Sequence, residues 1–196
     1  MRSVETVSEA IFTAFCKEHA LDWRRVPAGA GKTPDFMVRM GRMPVAVEIK
    51  QIETAAGFNP HGVSSRKVGA EIRKRMDEAR GQMQSAAKDG CPAVLLIHNK
   101  VDSWQIFGTE PHDFIGAMYG DLKISILANR LGPLYREGND RLRQDRNTSF
   151  SAVGHLLHYC SGIRVVLYEN VHAAKPLPFE DVPACIEVVR MQLQKL

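Results

Sequence analysis

A stretch of alternating side chains from Thr33 to Gln51 predicts a β-hairpin and constrains the fold more than any other part of the chain. The dipeptide Gly41-Arg42 suits a two-residue turn, with glycine at the position that needs a positive φ. Because successive side chains of a strand point to opposite faces, this turn determines which residues face each other. One face is then apolar, with three opposed pairs: Phe36 with Val47, Val38 with Val45, and Met40 with Met43.

The other face of the hairpin gathers charged side chains. The same register places Asp35 directly opposite Glu48, with Lys50 two residues further along on the same side. Two carboxylates on adjacent strands suit a hard divalent cation such as Mg²⁺, which prefers oxygen ligands and keeps several waters. Such a cation activates water and stabilises charge on a phosphate, and a nearby ammonium assists. A solvated glutamate–lysine pair on a plain surface hairpin is the simpler alternative.

The dipeptide Pro34-Asp35, followed after twelve residues by Glu48-Ile49-Lys50, resembles the signature of the PD-(D/E)xK nuclease superfamily. The resemblance implies a restriction-endonuclease-like fold and a nuclease that depends on Mg²⁺ or Mn²⁺. It also implies that Asp35 and Glu48 bind the metal and that the backbone carbonyl of Ile49 joins them. Lys50 would then assist the attacking water.

The first predicted element is a helix from Val4 to His19, where apolar residues recur at helical spacing. Members of the superfamily often supply a further acidic group from their first helix. Glu9 is the best positional match for such an additional metal ligand. Glu5 and Glu18 compete with it, and a solvated glutamate is the alternative for all three.

A second helix is predicted from Arg66 to Lys88, because an apolar stripe runs along it and a serine precedes it. Its other faces carry an excess of basic residues, which suits contact with a phosphate backbone as well as a solvated surface. We therefore expect Arg66 and Arg73 to contact nucleic acid. Superfamily members often present a polar side chain from this helix towards the active centre, and Gln82 is the candidate here. Gln51, just after the motif lysine, is another.

The order of the predicted elements supports the resemblance independently of the motif. Asp22 to Val26 is a short strand, Glu53 to Ser65 is a polar loop or connector, and Cys91 to Asn99 is a buried strand. The order is therefore helix, three strands, helix, strand, which is the αβββαβ core that the family implies. We predict a single α/β domain with a mixed central sheet flanked by helices. Its core covers residues 1–100, and residues 101–196 form a C-terminal α/β extension.

The extension is expected to lengthen the core sheet and to cover its edges. Its predicted elements are a helix from Pro111 to Gly120, a strand from Leu122 to Leu127, a charged loop from Asn129 to Asn147, a helix from Ser149 to Cys160, a strand from Ile163 to Tyr168 and a helix-like stretch from Asp181 to Leu193.

Composition narrows the class of protein. Hydrophobic residues make up 44% and charged residues 24% of the 196 residues, as in ordinary globular domains. The net charge of +4 permits a polyanionic partner without demanding one. The four cysteines are scattered, so neither a zinc site nor a disulfide framework is expected. We therefore expect a cytoplasmic location, where thiols stay reduced. The sequence has no apolar run long enough to span a membrane.

Two main function classes follow from these observations, and a small helical-sheet protein with no role on nucleic acid is a third possibility. The first is a metal-dependent nuclease with Asp35, Glu48 and Lys50 as catalytic residues and DNA favoured over RNA by analogy with the family. The second is a non-catalytic module on the same fold that binds nucleic acid or another protein. A homodimer is attractive because cutting both strands of a duplex needs two sites, although the sequence shows no interface.

Overall fold

The computed structural model describes residues 5–27 and 31–192 and has a mixed α/β architecture. The helices are α1 (Val7–Glu18), α2 (Ala70–Lys88) and α3 (Pro111–Tyr119), with a short 3-10 helix at Phe179–Asp181. The strands are β1 (Trp23–Arg25), β2 (Phe36–Met40), β3 (Met43–Ile52), β4 (Ala93–Asn99), β5 (Asp121–Leu127), β6 (Arg130–Glu137), β7 (Ala152–Tyr159), β8 (Gly162–Glu169) and β9 (Ile186–Val189).

The hairpin of β2 and β3 has the predicted register. Phe36 pairs with Val47 and Val38 with Val45 in antiparallel order, and Gly41 has a φ of +57° in the turn. A glycine is favoured at this position because other residues are strained at positive φ. The prediction of which side chains share a face is therefore confirmed.

Seven strands form one mixed sheet in the order β1-β2-β3-β4-β7-β8-β9. The pairs β1–β2, β2–β3 and β7–β8 are antiparallel, whereas β3–β4, β4–β7 and β8–β9 are parallel. The parallel step from β3 to β4 is connected by α2, as parallel strands require a crossover. The prediction of a mixed central sheet flanked by helices is confirmed.

Helices cover both faces of this sheet and enclose two hydrophobic cores. On one face α2 and α3 pack over side chains of the sheet such as Ala46, Ile52 and Leu95. On the other face α1 packs over Phe36, Val47 and their neighbours. Both faces of the central strands are thus buried, so the charged face of the hairpin lies beneath α2 and not on an open surface.

The first two helices, α1 and α2, begin later in the sequence than predicted. Thr6 caps α1, where its side chain and that of Glu9 form a reciprocal capping box, and Val4 lies outside the described residues. The helix α2 begins after Gly69, whose φ is +68° and whose N–H donates to Asp113 Oδ1 at 2.8 Å. That contact holds the preceding residues out of the helix, so Arg66 lies before α2 and not within it.

The prediction of a helix from Ser149 to Cys160 is wrong, because this segment contains β7. The strand lies between β4 and β8, so its side chains are buried on both faces and show no clear alternation. Gly154 within it was a signal against a helix. A Cβ at this position would lie 2.6 Å from the Val166 carbonyl oxygen.

The predictions for two other segments of the extension are also wrong. The helix-like stretch from Asp181 to Leu193 contains the end of the 3-10 helix and then β9, which pairs in parallel with β8, while Leu193 lies outside the described residues. The charged loop from Asn129 to Asn147 contains β6, which pairs with β5 as a separate two-stranded sheet. Ala128 and Asn129 both have positive φ in the turn, as a tight hairpin requires.

In the described part of the chain, none of the helices combines the length and the apolar character needed to cross a membrane.

Candidate active site

Asp35, Glu48 and Lys50 lie together on the face of the sheet that α2 covers. The Lys50 Nζ donates to Glu48 Oε1 at 2.7 Å, since the two side chains lie two positions apart on the same face of β3. Asp35 precedes β2, and its Oδ2 accepts a hydrogen bond from the Ile49 N–H at 2.8 Å. The local hairpin therefore holds all three charged groups, as the register predicted.

Glu48 is the electrostatic centre of this group. Its side chain is only 2% exposed, and its Oε2 is buried without a hydrogen-bond partner among the described residues. Burial, followed by the negative charge of Asp35, raises the pKa of Glu48 to about 7, although the charge of Lys50 opposes both effects. A buried carboxylate oxygen without a partner is costly, so this arrangement is not explained by stability.

The donor set fits a hard divalent cation. Such a cation takes carboxylate and carbonyl oxygens, and Glu48 offers an oxygen of this kind, Oε2, in a carboxylate that interacts with the Asp35 carboxylate. Asp35 and Glu48 are the residues that could hold the metal. The side chain of Ile49 packs into the core on the α1 face, and the role of its carbonyl stays a prediction.

Gln82 lies on α2, on the same side of the sheet as the three charged groups. It is half-buried, and its Oε1 has no hydrogen-bond partner in the described structure. At the preceding residue of α2, Gly81, an added Cβ would lie 2.2 Å from Lys32 Cδ and 3.0 Å from Lys32 Nζ. The absence of a side chain at Gly81 thus makes room for the Lys32 side chain to lie against α2 next to Gln82.

Glu9 is not brought to the carboxylate pair. It lies on α1, on the opposite side of the sheet, where its carboxylate forms an ion pair with Arg25 and accepts from the N–H of Thr6. The short strand β1 carries Arg25 to this position, and no local sequence pattern predicts that contact. Glu9 is therefore committed to capping α1 and to joining it to the sheet.

Gln51 also lies away from the three charged groups. Its Oε1 accepts from Ser8 Oγ at 2.7 Å on the α1 face, and its Nε2 donates to Glu53 at 2.8 Å. The reason is the alternation of β3, since consecutive side chains point to opposite faces of a sheet. Gln51 thus anchors α1 and does not face the site.

The two arginines predicted to contact nucleic acid are engaged within the protein. Arg73 is 6% exposed, and its Nη2 donates to the Val68 carbonyl at 2.6 Å. Arg66 forms ion pairs with Glu110 and with Asp113, whose side chain is fully buried. Because Arg66 is paired with two carboxylates and Arg73 is buried, the structure gives no support to phosphate binding by either residue, although Arg73 Nη1 has no hydrogen-bond partner among the described residues.

A second group of potential metal ligands occurs at the N-terminus of α3. One ligand atom from each of Glu110, His112 and Asp113 lies within 4.8 Å of the others. The guanidinium of Arg66 already binds both carboxylates and lies 3.0 Å from His112 Nε2. The guanidinium of Arg66 thus already neutralises the carboxylates of this cluster. The sequence did not predict the cluster.

Comparison of the chain with protein-family models, with curated proteins and with solved structures finds no match.

Proposed function

We propose that the protein is a divalent-metal-dependent nuclease that hydrolyses phosphodiester bonds in nucleic acid, with DNA as the favoured substrate. The observation that carries the proposal is the buried carboxylate of Glu48, which lies close enough to Asp35 to feel its charge, whose Oε1 accepts from Lys50 and whose Oε2 has no hydrogen-bond partner among the described residues. Most buried polar atoms in native proteins have a hydrogen-bond partner, so a buried carboxylate oxygen without one, close to a second carboxylate, is accounted for if a metal ion binds there.

The architecture supports a restriction-endonuclease-like fold as part of the proposal. The elements α1, β1, β2, β3, α2 and β4 follow one another in the αβββαβ order that the resemblance implies. The antiparallel pairing of β2 with β3 and the parallel pairing of β3 with β4 place the charged residues at the middle of this core. Fold and site residues therefore support the same class of protein.

The chain contributes four groups to the proposed reaction. Asp35 and Glu48 would hold the metal, and the bound metal would polarise the scissile phosphate and lower the pKa of a water. The ammonium of Lys50 lies next to these carboxylates, where it can orient the water or stabilise charge on the phosphate. Gln82 offers an unpaired amide oxygen on the helix that covers the same face.

Substrate cleavage tests the proposal. Labelled single-stranded DNA, duplex DNA and a structured RNA are incubated with Mg²⁺, with Mn²⁺ or with EDTA. The wild-type protein is compared with Asp35→Asn and Lys50→Met, and with the matched controls Glu53→Gln and Lys100→Met, which change exposed residues near the end of β3 and β4.

We expect metal-dependent cleavage that each site variant lowers by at least about 100-fold, as for loss of a transition-state interaction of roughly 3 kcal/mol. The control variants should cleave within about threefold of wild type. Cleavage that persists in EDTA, or that survives both site substitutions, would refute the proposal. Absence of cleavage together with salt-sensitive binding of nucleic acid would favour the non-catalytic alternative.

A further inference from the structure

The hairpin of β5 and β6, residues 121–137, is an amphipathic arm. Its pairing places Ile124 opposite Leu134 and Ile126 opposite Leu131, with a bulge between the two pairs. Leu122 shares their face by alternation along β5. These five side chains are the apolar face of the arm, and their exposed fractions range from 42% to 76%.

The opposite face of the arm is polar. It carries Ser125 and Tyr135, and Lys123 Nζ forms an ion pair with Glu137 at 2.9 Å. An isolated two-stranded sheet is only marginally stable in water, and soluble monomers rarely expose a large contiguous apolar patch. The segregation of apolar and polar residues therefore indicates that something covers the apolar face.

The arm joins the rest of the protein at its base. Arg136 Nη1 donates to the Gly120 carbonyl at 2.9 Å, and Asn139 Nδ2 donates to Asp121 at 2.6 Å. Beside the base lies a cavity of about 760 Å³, which Leu122 and Leu134 line together with residues of the body such as Tyr119. The apolar face therefore borders a groove of mixed lining, in which Arg136, Glu137 and Asp140 accompany the apolar side chains, whereas Ile126 and Leu131 towards the tip of the arm do not line it.

We propose that the apolar face of the arm is the interface of a homodimer, in which two copies pack arm against arm about a twofold axis. A fully exposed leucine or isoleucine has on the order of 200 Å² of surface, so the five residues expose about 600 Å². Two such faces together reach about 1,200 Å², which passes the roughly 1,000 Å² expected of a biological interface. A twofold arrangement makes one patch serve both partners.

The chemistry of the face favours a second copy over nucleic acid. The charged residue that borders the face, Arg136, is bound to a backbone carbonyl at the base of the arm. A phosphate backbone is bound through cationic groups, and the five side chains of the face have none. The leucine and isoleucine side chains of one arm can instead pack against the same residues of a second arm, as apolar side chains do at the centre of a homodimer interface.

Sedimentation velocity between 1 and 100 μM tests this inference on the full chain. We expect a species of twice the chain mass of 21.9 kDa for the wild type. The double variant Ile126→Lys/Leu131→Lys should be monomeric, with a dissociation constant raised by at least about 100-fold. Val63→Lys is the matched control, because Val63 is an exposed apolar residue in another loop, and it should remain dimeric.

Other outcomes overturn the inference. A wild-type chain that is monomeric at 100 μM, or a double variant that stays dimeric, excludes the arm as the interface. If the full chain is monomeric but a chain ending at Gln192 dimerises, the C-terminal residues cover this face instead, since Gln192 lines the same groove. Ile126 and Leu131 are mostly exposed, so we expect the lysine variants to keep the fold. Circular dichroism of each variant verifies this.

Discussion

Replacing Glu48 with glutamine should stabilise the metal-free protein at alkaline pH. Burial and the charge of Asp35 raise the pKa of Glu48 from its usual 4.5 to about 7. Each unit of difference between the folded and unfolded pKa corresponds to about 1.4 kcal/mol, so ionising Glu48 in the folded state costs about 3 kcal/mol. Glutamine has no charge to bury, and its side-chain oxygen can still accept from Lys50.

The sign of the pH dependence follows from the raised pKa. The folded protein binds the Glu48 proton more tightly than the unfolded chain does. The resulting stability is complete below pH 4.5 and is lost as the pH rises through about 7. The glutamine variant should therefore gain about 3 kcal/mol over wild type at pH 8.5 but less than about 1 kcal/mol at pH 5.

Urea unfolding in EDTA at these two pH values measures the difference. Glu53→Gln is the matched control, because Glu53 is an exposed carboxylate just beyond β3 and should show no such change with pH. Added Mg²⁺ should stabilise the wild type at pH 8.5 and not the Glu48 variant, since a ligand stabilises only a state that binds it. A variant whose advantage does not grow with pH would refute the account of Glu48.

Three further predictions concern stability. Arg66→Ala should cost about 3 kcal/mol in urea unfolding, because it leaves the fully buried carboxylate of Asp113 without its cation. Burial lowers the pKa of His155 to about 3, so this histidine should cost the folded protein about 2 kcal/mol at pH 5, which offsets the stability that Glu48 supplies at the same pH; relative to His155→Leu, the wild type should therefore lose about 2 kcal/mol of unfolding free energy between pH 8 and pH 5 in the same assay. Gly154→Ala should lower the free energy of unfolding by about 2 kcal/mol, measured by thermal denaturation, because its Cβ would meet the Val166 carbonyl.

The parts of the fold that the sequence predicted well have local causes. Alternation along Thr33–Gln51 and one glycine turn determine the register of β2 and β3, so the hairpin could be assigned residue by residue. The errors fall where tertiary context decides. The strand β7 is buried on both faces and loses its alternation, and β9 forms because β8 offers a parallel partner to a short segment after Pro183.

The site residues divide in the same way. Asp35, Glu48 and Lys50 belong to one hairpin, so its register alone brings them together. Glu9 and Arg66 depend on partners far along the chain, which no local pattern identifies. Gln51 is different, because the alternation that grouped Glu48 with Lys50 already places it on the other face.

Titration of the protein with Mn²⁺, followed by electron paramagnetic resonance, tests the central claim most directly. Wild-type protein at pH 8 should bind Mn²⁺, Asp35→Asn and Glu48→Gln should each weaken binding by at least about 10-fold, and Lys50→Met should retain it. The control Glu53→Gln should bind as wild type does. Absence of Mn²⁺ binding by the wild type would contradict a metal site at Asp35 and Glu48. Binding by both carboxylate variants with the same affinity as the wild type would also contradict it.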